Sequence, residues 1–131
     1  MSRKVWDKVR RRPVAATPEE AIRQRFIQLL LAEGYPLSSI QVEYPVSGGR
    51  LDVAVALPDG SLWLLAECKA HPHHTAEALL QLRRYAAFLS PVHHLAIVSP
   101  VGVWCWKAST GELLSQIPPY PRCAPPNSTF S

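Results

Sequence analysis

A chain of 131 residues, 47% apolar and 18% charged, is the size of one domain and has enough apolar side chains for its own core. No apolar run approaches the roughly 20 residues that span a bilayer, and no apolar signal core with a cleavage site follows the basic start, so neither a membrane anchor nor secretion is expected. Three cysteines without CxxC spacing, Cys68, Cys105 and Cys123, argue for reduced thiols in a cytoplasm rather than a disulfide framework or zinc cluster.

The net charge of +4 is unevenly placed, with Arg3, Lys4, Lys8, Arg10, Arg11 and Arg12 all within the first twelve positions. Residues 1–16 read as a basic arm. Such an arm can lie along nucleic-acid phosphates, or it can be a solvated terminus. Thr17-Pro18-Glu19-Glu20 then opens a helix: Thr17 suits the N-cap, Pro18 the first helical position, and Glu20 completes a capping box. The helix should reach about Ala32 and end at Gly34, with Ile22, Phe26, Ile27, Leu29, Leu30 and Leu31 on its apolar face. Arg23 falls inside that arc, and a buried charge needs a partner. Glu20 sits at the rim, where a cap role and a site role are both open.

Residues 40–46, 50–57 and 62–69 read as three strands joined by short turns, an antiparallel meander. Asp59-Gly60 between apolar runs signals a tight hairpin. With those two as the loop, Pro58 faces Ser61 and Asp52 faces Glu67, while Lys69 shares the face of Glu67. A second helix over 75–89, capped by Thr75, buries Ala78, Leu79, Leu82, Tyr85, Ala86 and Leu89, and sets Gln81 beside Tyr85 on one flank. Arg83 and Arg84 point elsewhere, toward solvent or a polyanion. Strands at 95–99 and 103–107 follow, and the Pro-rich remainder, 109–131, reads as an extended, poorly ordered tail. The order α-β-β-β-α-β-β describes an α/β domain over residues 17–108.

Two carboxylates on neighbouring strands are natural ligands for a hard divalent cation such as Mg2+, with Mn2+ a possible substitute, and the carbonyl of Cys68 can add a third oxygen. A cation there could polarise a phosphate and activate water, while Lys69 orients or deprotonates that water or neutralises charge on the phosphate. Glu20 could stand behind the ligands or serve a second ion. The rival reading is a cross-strand pair on a solvent-facing edge, worth at most about 1 kcal/mol.

The runs PEEAIRQRFIQLLLAEGYP (18–36), RLDVAVA (50–56), LLAECKA (64–70) and QLRRY (81–85) resemble, in order and spacing, the PD-(D/E)xK nuclease superfamily. More closely, they are similar to the N-terminal nuclease domain of type I restriction enzyme R subunits. The resemblance implies a restriction-endonuclease-like αβββαβ core, its mixed central sheet flanked by helices. It implies a Mg2+-dependent DNA endonuclease of restriction, defence or DNA-processing type. By position, Asp52 and Glu67 match the metal-binding acids, Lys69 the catalytic lysine, Glu20 the first-helix glutamate, and Gln81 and Tyr85 a QxxxY element that shapes the site or touches DNA. Arg23 matches a recurrent family arginine. The sequence departs from the pattern in having no helicase or translocase motor after this domain and His71-Pro72-His73-His74 after the lysine. The alternative is a catalytically silent DNA- or protein-binding module of the same fold.

The expected partners are DNA, a second copy of the chain, and a separate motor or specificity subunit. His71, His73, His74, His93 and His94 lack tetrahedral zinc spacing and read as exposed loop histidines. Trp63, Trp104 and Trp106 read as core or dimer surface rather than a base-stacking platform.

Overall fold

The computed structural model describes residues 3–71, 75–89 and 91–121. The basic arm is not a loose strand. Its residues pair as a hairpin, β1 (Lys4–Asp7) against β2 (Arg12–Ala15). Helix α1 (Pro18–Ala32) starts where the caps place it, with the Thr17 hydroxyl accepting the Glu20 N–H at 3.1 Å. Only half of the capping box forms, because the Thr17 N–H goes to the Ala15 carbonyl and the Glu20 carboxylate is used elsewhere.

A 3-10 turn (Leu37–Ser39) leads into β3 (Ile40–Val46), β4 (Gly49–Ala56) and β5 (Leu62–Cys68). Helix α2 (Thr75–Phe88) then crosses to β6 (Val92–Ser99), followed by β7 (Gly102–Lys107) and a short β8 (Leu113–Leu114). These six strands form one sheet in chain order, β3-β4-β5-β6-β7-β8. Only the β5–β6 pair is parallel, because α2 carries the chain back to the same end; the other four are antiparallel hairpin neighbours. The result is the expected α/β core, a mixed sheet flanked by helices. Pro45, which cannot donate to a ladder, sits on edge strand β3.

Strand alternation splits the core into two layers. Ile22, Phe26, Ile27 and Leu30 of α1 pack on Val53, Val55, Leu64, Ala66 and Cys68. Ala78 and Leu82 of α2 pack on Leu51, Ala54, Leu65 and Ile97. Burial of two such faces is the main favourable term, about 25 cal/mol for each Å² of apolar surface removed from water.

The β4–β5 turn differs from the two-residue loop expected. Leu57, not Pro58, faces Ser61: its N–H donates to the Ser61 carbonyl at 2.8 Å, and Gly60 closes a turn back to Leu57 with φ +88. Pro58, Asp59 and Gly60 thus form a three-residue loop, with glycine at its left-handed position. An irregularity between Val55 and Ala56 takes up the extra residue, and the ladder resumes with Val55 opposite Leu64 and Val53 opposite Ala66. That register leads to Asp52 beside Glu67.

Two other expectations are corrected. His93 and His94 lie within β6, which begins at Val92, three residues earlier than read, because Val92 already pairs with Leu62. His94 is buried, its Nδ1 3.2 Å from the Trp63 carbonyl and its ring edge-on to Trp63. Burial holds its pKa below the ordinary value. His73 and His74 fall outside the described residues, as does Cys123. The chain beyond Lys107 also returns to the body: β8 pairs with β7, Tyr35 donates its hydroxyl to the Pro118 carbonyl at 2.6 Å, and the Tyr120 ring packs tilted against Tyr35 with centroids 5.3 Å apart. Cys68 and Cys105 are free and buried. Among the described residues no helix is long and apolar enough to cross a membrane.

Candidate active site

Asp52 occupies a break in the sheet. Val42 and Val53 pack in the α1 layer, yet Tyr44 and Leu51, two residues away on the same strands, pack in the α2 layer. Regular alternation would keep each pair on one face. The switch falls at Glu43 and Asp52, the one position skipped by the β3–β4 ladder, and Glu43 has φ +49. A non-glycine residue in that region carries roughly 1–3 kcal/mol of strain and persists only where its surroundings hold it. Here Arg10 and Arg50 hold the Glu43 carboxylate, at 3.4 and 3.5 Å. The twist leaves Asp52 at the boundary of the two layers, where it meets Arg23 from one side and Glu67 from the other.

Glu67 follows Leu65 by two residues on β5 and so belongs to the α2 face. It is 8% exposed, and its Oε1 accepts the Asp52 N–H at 3.4 Å. Asp52 in turn accepts the Cys68 N–H on Oδ2 at 2.7 Å. Burial, and then the charge of Asp52, raise the Glu67 pKa from the ordinary 4.5 to about 8. The cause is physical: two carboxylates share a poorly solvated corner, which disfavours ionising both. Lys69 opposes this with its charge, as the weakest of the contributions.

The backbone adds an oxygen. The Lys69 N–H donates to the Val98 carbonyl on β6 at 2.7 Å. Across a trans peptide the Cys68 carbonyl must then point the opposite way, toward β4, the side on which its own N–H meets Asp52.

Glu20 is placed differently. Its Oε1 accepts from Arg10 Nη2 at 2.6 Å, its Oε2 accepts from Gln24 Nε2 at 3.1 Å, and Arg23 Nε stands 3.3 Å away. Arg23 spans the gap to Asp52, with Nη2 4.0 Å from Oδ1. Its Nε and Nη1 have no hydrogen-bond partner although the side chain is buried. Arg10 is fixed by Asp7, which is fully buried, ion-paired to Arg10 Nε, and hydrogen-bonded to the N–H groups of Val9 and Arg10.

Lys69 lies one residue past β5 and lines a cavity of about 260 Å3 with Pro18, Glu19, Ala70 and His71. Gln81 donates to the Tyr85 hydroxyl at 2.7 Å, as the i,i+4 spacing predicts. Tyr85 stands against the β3–β4 turn, where a Cβ on Gly49 would come within 3.1 Å of its hydroxyl. The structure therefore joins Asp52, Glu67 and the Cys68 backbone directly, links Arg23 and Glu20 to them through one guanidinium, and sets Lys69 at the margin. Gln81 and Tyr85 bond to each other, at the sheet end that carries Asp52. Sequence reasoning missed Arg10 and Glu43 as neighbours of the site. The Asp7-x-x-Arg10 spacing was the only available signal for the first.

The donor set fits a hard cation. Among the described residues no three His, Cys, Asp or Glu side chains converge to hold a metal. A cation here would be held by the Asp52 and Glu67 carboxylates and the Cys68 carbonyl, with water completing the sphere, as Mg2+ prefers. A divalent charge there would relieve the mutual repulsion of the two carboxylates.

The family described as Type I restriction enzyme R protein N terminus matches residues 18–118. The chain belongs to this family. No curated protein and no solved structure matches it. Membership makes it a restriction-related, nuclease-like domain, and the match leaves the hairpin of residues 4–15 outside its bounds.

Proposed function

We propose that this chain is a metal-dependent DNA endonuclease domain that hydrolyses phosphodiesters, with Mg2+ as the resident cation and Mn2+ able to replace it. The observation that carries this reading is the Asp52–Glu67 pair, a partly exposed and a buried acid pressed together in a restriction-family fold, with Arg23 no closer than 4.0 Å to Asp52. The bound cation supplies charge stabilisation at the phosphate and a water of lowered pKa. Asp52 and Glu67 hold it, and the Cys68 N–H fixes the Asp52 carboxylate through Oδ2, while Oδ1 lies 4.0 Å from Arg23 Nη2. Arg23 balances Asp52 from behind. Lys69, at the open cavity beside the start of α1, orients the attacking water or neutralises charge on the phosphate. Gln81 and Tyr85 form a polar pair at the same sheet end that suits the nucleic-acid backbone.

DNA is the proposed substrate, acted on in the cytoplasm, with a second copy of the chain or a separate motor or specificity subunit as protein partners. The test is incubation of the full chain with supercoiled, linear, branched and single-stranded DNA, with and without Mg2+, beside Asp52→Ala and Lys69→Ala. Cleavage only by the wild type with Mg2+ is expected. Undiminished cleavage by folded Lys69→Ala overturns the mechanism. Binding of duplex DNA without cleavage in Mg2+ or Mn2+ identifies a silent module instead.

A further inference from the structure

We infer that Arg10, from the hairpin outside the family match, is a positioning residue that acts as a built-in counter-ion at Glu20, so that the site takes one divalent cation rather than two. The inference rests on the metal reading of Asp52 and Glu67.

Three acids near the site, Asp7, Glu20 and Glu43, all point at one guanidinium. Arg10 meets Asp7 through Nε, Glu20 through Nη2 at 2.6 Å, and Glu43 through Nη1 at 3.4 Å. Every nitrogen of its planar fork is used. The arginine is itself locked, because Asp7 is fully buried and anchored by two backbone N–H groups. Glu20 is thereby supplied with a cation from the same chain, and Gln24 takes its other oxygen. Arg23 lies between Glu20 and Asp52, so a second divalent ion bridging those two acids would have to displace a buried guanidinium as well as Arg10. Around Asp52 and Glu67 the compensation is weaker, with Arg23 Nη2 4.0 Å from Asp52 Oδ1 and no arginine hydrogen-bonded to either acid among the described residues. The hairpin thus decides which acids remain for an ion, and through Glu43 it also holds the twist that aims Asp52.

The experiment counts bound Mn2+ per chain by equilibrium dialysis with electron paramagnetic resonance, on the full chain, for wild type, Glu20→Gln, Arg10→Met and Arg10→Lys. Circular dichroism checks each fold. Wild type is expected to bind one ion, and Glu20→Gln one ion with an affinity within about threefold, since Glu20 is already neutralised. Arg10→Met is expected to bind two, the second in the place of the guanidinium among Asp7, Glu20 and Glu43 with Arg23 undisturbed, and Arg10→Lys to return to one. A purely structural role for Arg10 would leave the count at one in every folded variant, which overturns the inference. Two ions in the wild type, or a tenfold or greater loss of affinity in Glu20→Gln, also overturns it, and Glu20→Gln decides the matter if Arg10→Met does not fold. No ion in the wild type removes the metal reading itself, a separate failure.

Discussion

Glu20 and Glu67 are buried to nearly the same degree, 6% and 8% exposed, and stand on opposite sides of Asp52. Around Glu20 the protein supplies two arginines and a glutamine amide. Around Glu67 it supplies a second carboxylate, one long backbone N–H contact and the distant charge of Lys69. Burying a charge is costly unless it is paired, so the first arrangement is what stability alone would select and the second is not. An acid left under-compensated in a buried corner is not accounted for by stability. A fully paired acid marks structure.

Five substitutions and a pH series press on that contrast. The largest effect is on activity: Asp52→Ala and Lys69→Ala should each reduce Mg2+-dependent DNA cleavage by about 10³-fold or more, the scale of several kcal/mol of lost charge stabilisation, with far-ultraviolet circular dichroism unchanged. Next, the two acid clusters should answer removal of charge with opposite signs. Arg10→Met leaves Asp7 and Glu20 without their closest cation and should lower stability by about 2–3 kcal/mol in urea titration. Glu67→Gln removes an ionisation the fold resists and should raise stability above pH 7 by about 1 kcal/mol, or roughly 4 °C in Tm.

The pH dependence should divide in the same way. The Glu67 pKa is raised, so the folded chain binds more protons than the unfolded one between 4.5 and about 8. Its contribution is fully present below that window and is lost as pH rises through it. Asp7 runs the other way. Burial pushes its pKa up, but hydrogen bonds and charge from Arg10 and the Val9 N–H outweigh this and hold it below the ordinary 3.8. Its contribution is present above that value and lost on acidification. Melting temperatures without metal should therefore fall on both sides of a mildly acidic optimum, and Glu67→Gln should remove only the alkaline fall. A last, modest effect belongs to the far end of the sheet, away from the acids. Tyr35 is 2% exposed, accepts from Trp63 Nε1 at 3.0 Å and donates to Pro118. Tyr35→Phe leaves those two groups unpaired and should lower stability by about 1–2 kcal/mol while leaving cation binding untouched.

Much of this was legible because it rests on local rules. Thr17-Pro18 set the start of α1, Gly34 its end, and the Asp-Gly signal brought β4 against β5. The juxtaposition of Asp52 and Glu67 came through two offsetting departures, a three-residue loop and an irregularity at Val55/Ala56, neither visible in residue types. What lay hidden was set by tertiary contact. Nothing in the letters announces a positive φ at Glu43 or the twist it creates, because those exist only while Arg10 and Arg50 hold the side chain. Cap and site roles were both open for Glu20, and neither pointed to the arginine ten positions upstream that folds back onto it. His94 was read as exposed because β6 was begun at Leu95, and the burial of its ring followed from pairing with β5.

The most direct test of the Asp52–Glu67 pair is the number of protons released when Mn2+ binds, measured by titration calorimetry at pH 7 in buffers of differing ionisation heat. If the pair keeps a proton that a cation displaces, the wild type should release close to one proton for each ion bound, and Glu67→Gln should release none. Binding without proton release by the wild type, or equal release by Glu67→Gln, would contradict the account.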